Sequence, residues 1–142
     1  MSPTLYSYAE SGNSYKVRLL SSLLHIPLWI VEVDFLADEQ HSPGFLALNP
    51  EGEVPVLVDE RDDKDTKVVL TDSAAILVYL AGTYPSLEGR DSSSFWSADP
   101  LAQAQVTEWL AFAVSWVQFG VFTTGAILSF GGAYNGLGRG GE

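Results

Sequence analysis

Three short segments of this chain carry groups suited to binding a small polar molecule. The first is Ser11-Gly12-Asn13-Ser14, a run of hydroxyl and amide groups of the kind that cap helices. The second is Asn49-Pro50-Glu51-Gly52-Glu53-Val54-Pro55-Val56-Leu57, a loop that runs through Val-Pro into an apolar strand. The third is Thr71-Asp72-Ser73, a strand end that turns into a helix. A strand edge at Val54-Pro55 can pair with a peptide backbone. A helix start at Asp72-Ser73 can hold a carboxylate, because the first N–H groups of a helix point outward and its dipole favours negative charge. Read alone, Ser11, Asn13, Asp72 and Ser73 are plain helix caps, and Pro55 is a strand-start proline.

The elements that must position these segments follow from hydrophobic period and breakers. Leu5 to Tyr8 reads as a short strand. Tyr15 to Leu24 reads as a helix with Val17, Leu20 and Leu24 on one face, ended by Ile26-Pro27. Trp29 to Asp34 alternates and is β-branched, which predicts a second strand. Pro43 to Leu48 is a helical turn, and Val56 to Val58 and Val68 to Leu70 are strands joined by an acidic loop. Asp72 to Thr83 is a helix stopped by Tyr84-Pro85. The order β-α-β-α-β-β-α is the pattern of a thioredoxin-like sheet. The crossover makes the first two strands parallel, and the hairpin makes the last two antiparallel, so the α/β fold has a mixed four-stranded sheet with three helices.

Residues 86–98 form a polar linker. Asp99-Pro100 then opens a new helix, with Asp99 as N-cap and Pro100 in its first position. It carries Val106, Trp109, Leu110, Ala113 and Trp116-Val117. From Trp109 to Phe130 no residue is charged, a stretch long enough to span a bilayer. Gln118, Gly120, Thr123, Thr124 and Gly125 interrupt it, so an interior helix is expected instead. Residues 131–142 are Gly-rich, without periodicity, and are expected to be disordered. The expected organisation is thus a domain over 1–85, the linker, a partial helical domain over 99–130 and a tail.

Composition limits the chemistry. The chain has 142 residues, with 18 Asp and Glu against 7 Lys and Arg, a formal net charge of −11. That disfavours nucleic acid and anionic membrane surfaces as partners. Much of the excess acid lies in Asp59-Glu60-Arg61-Asp62-Asp63-Lys64-Asp65, read as a solvated hairpin loop. With no cysteine there is no disulfide, thiolate metal site or protein thiol nucleophile. The first residues lack a basic stretch followed by an apolar core, which points to a cytoplasmic protein.

Four motifs in order carry a family resemblance. Ser11-Gly12-Asn13-Ser14-Tyr15-Lys16-Val17-Arg18-Leu19-Leu20, then Phe45-Leu46-Ala47-Leu48-Asn49-Pro50, then Val54-Pro55-Val56-Leu57, then Asp72-Ser73 with Ala75-Ile76 and Tyr79-Leu80, resemble the N-terminal domain of the glutathione S-transferase family. The resemblance covers about residues 4–85 and continues weakly through Asp99 to Gln118.

The resemblance implies a glutathione transferase that stabilises the cosubstrate's thiolate for attack on a small hydrophobic electrophile, in a detoxifying role and without a metal. A free thiol has a pKa of about 8.5, and lowering it by two units takes only about 2.7 kcal/mol. A hydroxyl or amide donor at a helix N-terminus can supply that. Ser11 stands where Ser-dependent members place their hydroxyl, and Asn13 is the alternative. Val54 would pair its backbone with the cysteinyl part, with Pro55 in cis. Asp72 and Ser73 would take the γ-glutamyl end, Ser73 the carboxylate and Asp72 the ammonium. His41 stands where members place a cation for the glycyl carboxylate.

Glu51 and Glu53 depart from the family's basic or amide side chains in that loop and would repel an anionic peptide. Trp109, Phe112 and Trp116 would line an electrophile pocket. The helical domain reads as incomplete, which favours a homodimer or a completing subunit. It also keeps open a non-catalytic binding module. Tyr6-Ser7-Tyr8 and Ser11 further resemble the maleylacetoacetate isomerase branch, although Gly12-Asn13 departs from its Ser-Cys pair. A glutathione-dependent isomerase or tailoring enzyme is therefore a further alternative.

Overall fold

In the computed structural model the chain is described over residues 2–60, 67–84 and 95–125. The expected Gly-rich tail and most of the expected linker lie outside these residues, as does the tip of the acidic loop. The chain divides into two compact units, Met1–Trp96 and Ser97–Glu142.

The first unit holds β1 (Thr4–Ser7), α1 (Gly12–Leu23), β2 (Trp29–Glu32), a 3-10 turn (Glu39–His41), α2 (Pro43–Leu46), β3 (Val56–Glu60), β4 (Lys67–Leu70) and α3 (Ser73–Thr83). The four strands form one sheet in the order β2-β1-β3-β4. β1 and β2 are parallel, whereas β1 with β3 and β3 with β4 are antiparallel. This is the mixed thioredoxin-like sheet that the element order predicts.

Strand alternation divides the core in two. Leu5 and Leu57 face α1 and α3, packing with Val17, Leu24, Ile26, Ile76 and Leu80. Val56 and Val58 point the other way, onto Val33, Phe45 and Val54, with Tyr6 and Tyr8 at the margin. Helices cover β3 on both faces, which is why Val56 to Asp59 are all buried.

Two details differ from the sequence expectation. Helix α1 starts at Gly12, so Asn13 and Ser14 sit in its first turn, and only Ser11 is the cap. The acidic run is not wholly a solvated loop either. β3 extends through Glu60, and Asp59 is only 1% exposed, because the hydroxyls of Tyr79 and Tyr84 donate to its carboxylate at 2.7 and 2.6 Å. Glu60 pairs with Lys67 across the hairpin at 3.5 Å. The apolar pairing of β3 with β4 continues into the charged run and buries its first acid.

The second unit, described through residue 125, contains α4 (Pro100–Phe112), capped by Asp99, whose carboxylate accepts the Ala102 N–H at 3.0 Å. Pro100 stands in the first turn, as its fixed φ and missing N–H allow. From Ala113 to Phe122 the helix widens into π geometry, where sequence pattern alone predicts an ordinary α-helix. Among the described residues no helix is long and apolar enough to cross a membrane.

Candidate functional site

Strand register gathers the first three segments at one end of the sheet. Tyr6 pairs with Val56, so the chain leaving β1 toward Ser11 passes the chain entering β3 at Val54. Leu57 pairs with Leu70, so Asp72 follows β4 at the same end. The loop of Val54-Pro55 therefore lies between the starts of α1 and α3.

Ser11 is fixed from both sides. Its N–H donates to the Tyr8 carbonyl at 3.0 Å, and its hydroxyl oxygen accepts from the Ser14 N–H at 3.1 Å. A hydroxyl that accepts a capping bond still has its own proton to give, so capping and thiolate stabilisation can coexist in one side chain. Asn13, half-buried in the first turn of the helix, carries an amide near the same terminus. Neither α1 nor α3 has an acidic side chain in its first turn; the α1 N-terminus is capped by a neutral hydroxyl, whereas the Asp72 carboxylate stands at the α3 N-cap.

The Val54–Pro55 peptide is cis, as the resemblance implies. Val54 precedes the paired register of β3, which begins at Val56. The loop before it is closed by Asn49, which is buried. Its side-chain oxygen accepts from the Glu51 N–H at 3.1 Å, and its amide donates to the Glu53 carbonyl at 2.8 Å. Glu51 and Glu53 are themselves exposed, so their side chains stand at the surface of this loop.

At α3 the Asp72 carboxylate accepts from the Ala75 N–H at 2.8 Å, and Ser73 is buried directly behind it. His41 lies beside the Val54 loop, since a Cβ on Gly52 would stand 2.9 Å from His41 Cδ2.

Three residues that the sequence reading did not place at the site belong to its surroundings. Asn49 closes the loop. Lys16, half-buried on α1, has its ammonium pushed below its ordinary value by desolvation, against the attraction of Asp72. Tyr8 has its phenol pushed above its ordinary value by desolvation and then by Glu10, Glu32 and Asp34, which keeps it a neutral hydroxyl. Only Asn49 had a local signal, an Asx residue two positions before the N–H it accepts.

Trp109, Phe112 and Trp116 belong to the second unit. Trp109 and Phe112 meet edge to face with centroids 5.9 Å apart. Trp109 is 71% and Trp116 73% exposed. Among the described residues no cluster of His, Asp or Glu could hold a metal.

The sheet order and the strand directions define a thioredoxin-like domain. Residues 5–91 match the model of the glutathione S-transferase N-terminal domain, and the chain belongs to the glutathione S-transferase family. It is 33% identical to protein URE2 of Candida maltosa over 79% of its own length and 33% of that protein. It is 44% identical to a zeta-class glutathione S-transferase of Euphorbia esula, over 57% of this chain and 33% of that one. A solved structure of Ure2p in complex with glutathione superposes with a TM-score of 0.69 at 31% identity, covering 80% of this chain and 45% of that one. The chain thus spans about a third of these curated relatives and under half of the solved chain.

Proposed function

We propose that this chain binds glutathione and holds its thiolate for attack on a small hydrophobic electrophile. The observation that carries this reading is the register that brings Ser11, Val54 and Asp72-Ser73 to one end of the sheet, beside two helix N-termini, of which that of α1 has no acid at its cap or in its first turn. In the proposed arrangement the Val54 backbone pairs with the cysteinyl part of the peptide. Ser73 and the first turn of α3 take the γ-glutamyl carboxylate, and Asp72 faces the ammonium. His41 meets the glycyl carboxylate.

The Ser11 hydroxyl donates to the cysteinyl sulfur, with Asn13 the competing donor. Neither is a nucleophile. Each would lower the thiol's pKa by favouring the anion, whose proton passes to solvent; the sulfur lone pair then forms a bond to the electrophilic carbon as that carbon expels its leaving group with the bonding pair. The exposed aromatic face of Trp109, Phe112 and Trp116 is apolar surface of the kind such an electrophile needs. The same reading carries a cytoplasmic, dimeric, detoxifying protein.

Calorimetric titration with glutathione at neutral pH tests binding first, and saturable uptake is expected. Conjugation of a chloronitroarene then tests catalysis. Ser11→Ala should cut conjugation and abolish the thiolate absorbance of bound glutathione while leaving its affinity nearly unchanged. The same loss in Asn13→Ala instead would move the donor role to Asn13. Ser73→Ala should weaken binding, and an unchanged dissociation constant would remove Ser73 from the site. Binding without turnover in the unaltered chain would mean a glutathione-binding module and not a transferase.

A further inference from the structure

His41 is held between a carboxylate and a glycine. Its Nδ1 lies 2.6 Å from Asp38 Oδ1. An ionised carboxylate can only accept, so in this pair Nδ1 carries the proton, and Nε2 is left to donate to a ligand's carboxylate when the ring is the imidazolium, in which both nitrogens carry protons. The far edge of the ring lies against Gly52, whose added Cβ would meet Cδ2 at 2.9 Å and Nε2 at 3.2 Å. Gly52 is in the left-handed region, with φ of 66°, inside the loop that Asn49 closes just before Val54.

Asp38 is held as firmly. It too is left-handed, at φ 60°, and starts the turn that carries His41. The buried Gln40 donates from Nε2 to the same Asp38 oxygen at 3.2 Å. Just upstream, Asp34 accepts from the N–H groups of Leu36 and Ala37, and Glu39 accepts from the Asp34 N–H. The approach to Asp38 is thus laced by local hydrogen bonds.

A lone histidine on a surface turn samples several rotamers and either tautomer. This one has the orientation of its ring and its distance from the Val54 loop set by neighbours. We infer that Asp38 is a positioning residue, holding the His41 imidazole against Gly52 so that Nε2 meets the terminal carboxylate of the bound peptide. The inference rests on the glutathione-binding reading above and adds the residue that gives that site its preference for a free glycyl carboxylate.

The test compares glutathione with its monoethyl ester, which lacks the glycyl carboxylate charge, by calorimetry on the full chain. The unaltered chain should favour glutathione by about three- to tenfold, the range for one partly exposed charge-assisted contact. Asp38→Gly keeps the left-handed backbone accessible while removing the carboxylate. It should lower the affinity for glutathione to that for the ester and leave ester binding unchanged. Asp38→Asn retains an acceptor for Nδ1 and should recover part of the preference. A wild-type ratio in Asp38→Gly overturns the inference, and so does an equal loss for both ligands, which would mark a merely structural role. If the unaltered chain binds both ligands equally, Asp38 has no such role although glutathione binding stands. If it binds neither, the parent reading fails and takes this inference with it.

Discussion

The Tyr84 hydroxyl donates to Asp59 across 2.6 Å, tying the residue that caps α3 to the centre of the sheet. Tyr79 adds a second bond to the same carboxylate oxygen at 2.7 Å, so one buried acid anchors the last turns of the helix. Removing the acid takes one hydrogen-bond acceptor away from two phenol groups. Asp59→Ala should therefore cost about 2–4 kcal/mol, read as a lower urea midpoint, and Tyr84→Phe about 1 kcal/mol. β3 runs from the site at Val56 toward Asp59, and α3 runs from Ser73 toward Tyr84. The damage falls at the end remote from the site, so the protein that remains folded should bind glutathione with unchanged affinity.

Gly52→Ala should act through two separable causes. A side chain at φ 66° is strained by about 1 kcal/mol or more, and the new Cβ would press on His41 at 2.9 Å. A loss of about 1–3 kcal/mol is expected. The double variant Gly52→Ala with His41→Ala should recover the part owed to the collision and retain the part owed to the backbone. Strict additivity of the two single changes would show that the ring and the glycine do not touch in solution.

What the sequence made legible was local. The caps at Ser11, Asp72 and Asp99 are read from a polar side chain ahead of an apolar run, and all three accept the N–H three residues on. The apolar strands and the Val-Pro turn gave the sheet, and register did the rest. What stayed hidden depends on distant partners. Asp59 sits in a run of charge, and only Tyr79 and Tyr84, 20 and 25 residues further on, make its burial tolerable. Lys16 is polar at a helical position, and its desolvation comes from α1 packing beside α3. The contact of His41 with Gly52 needs the Asn49 loop to close first. Asp38 was within reach, since an acid three residues before a histidine in a helical turn is on the same face.

Lys16 makes a stability prediction whose sign follows from its titration. Desolvation lowers its pKa in the folded chain below the ordinary 10.5. Between the folded and unfolded values the unfolded chain holds more protons, so stability rises with pH through that window. Below the window the ammonium bears its desolvation cost, only partly offset by Asp72. Lys16→Met keeps the packing stem and removes the charge. Its melting temperature at neutral pH should rise by about 1–3 °C, and the alkaline gain seen in the unaltered chain should shrink. A melting temperature below that of the unaltered chain would mean that Asp72 outweighs the desolvation.

The aromatic face of the second unit predicts association. Trp109, Phe112 and Trp116, with Phe119 and Val121 beyond them, are all exposed. Exposed aromatic surface of this extent is costly in water and tends to become an interface. Light scattering should therefore show a mass that rises with concentration above that of a monomer. Trp109→Ser with Trp116→Ser should lower that mass without changing the melting of the first unit, since neither residue belongs to its core. A chain that stays monodisperse and monomeric at high concentration would show that this face has no self-affinity. Its role would then lie with a hydrophobic ligand or a different polypeptide.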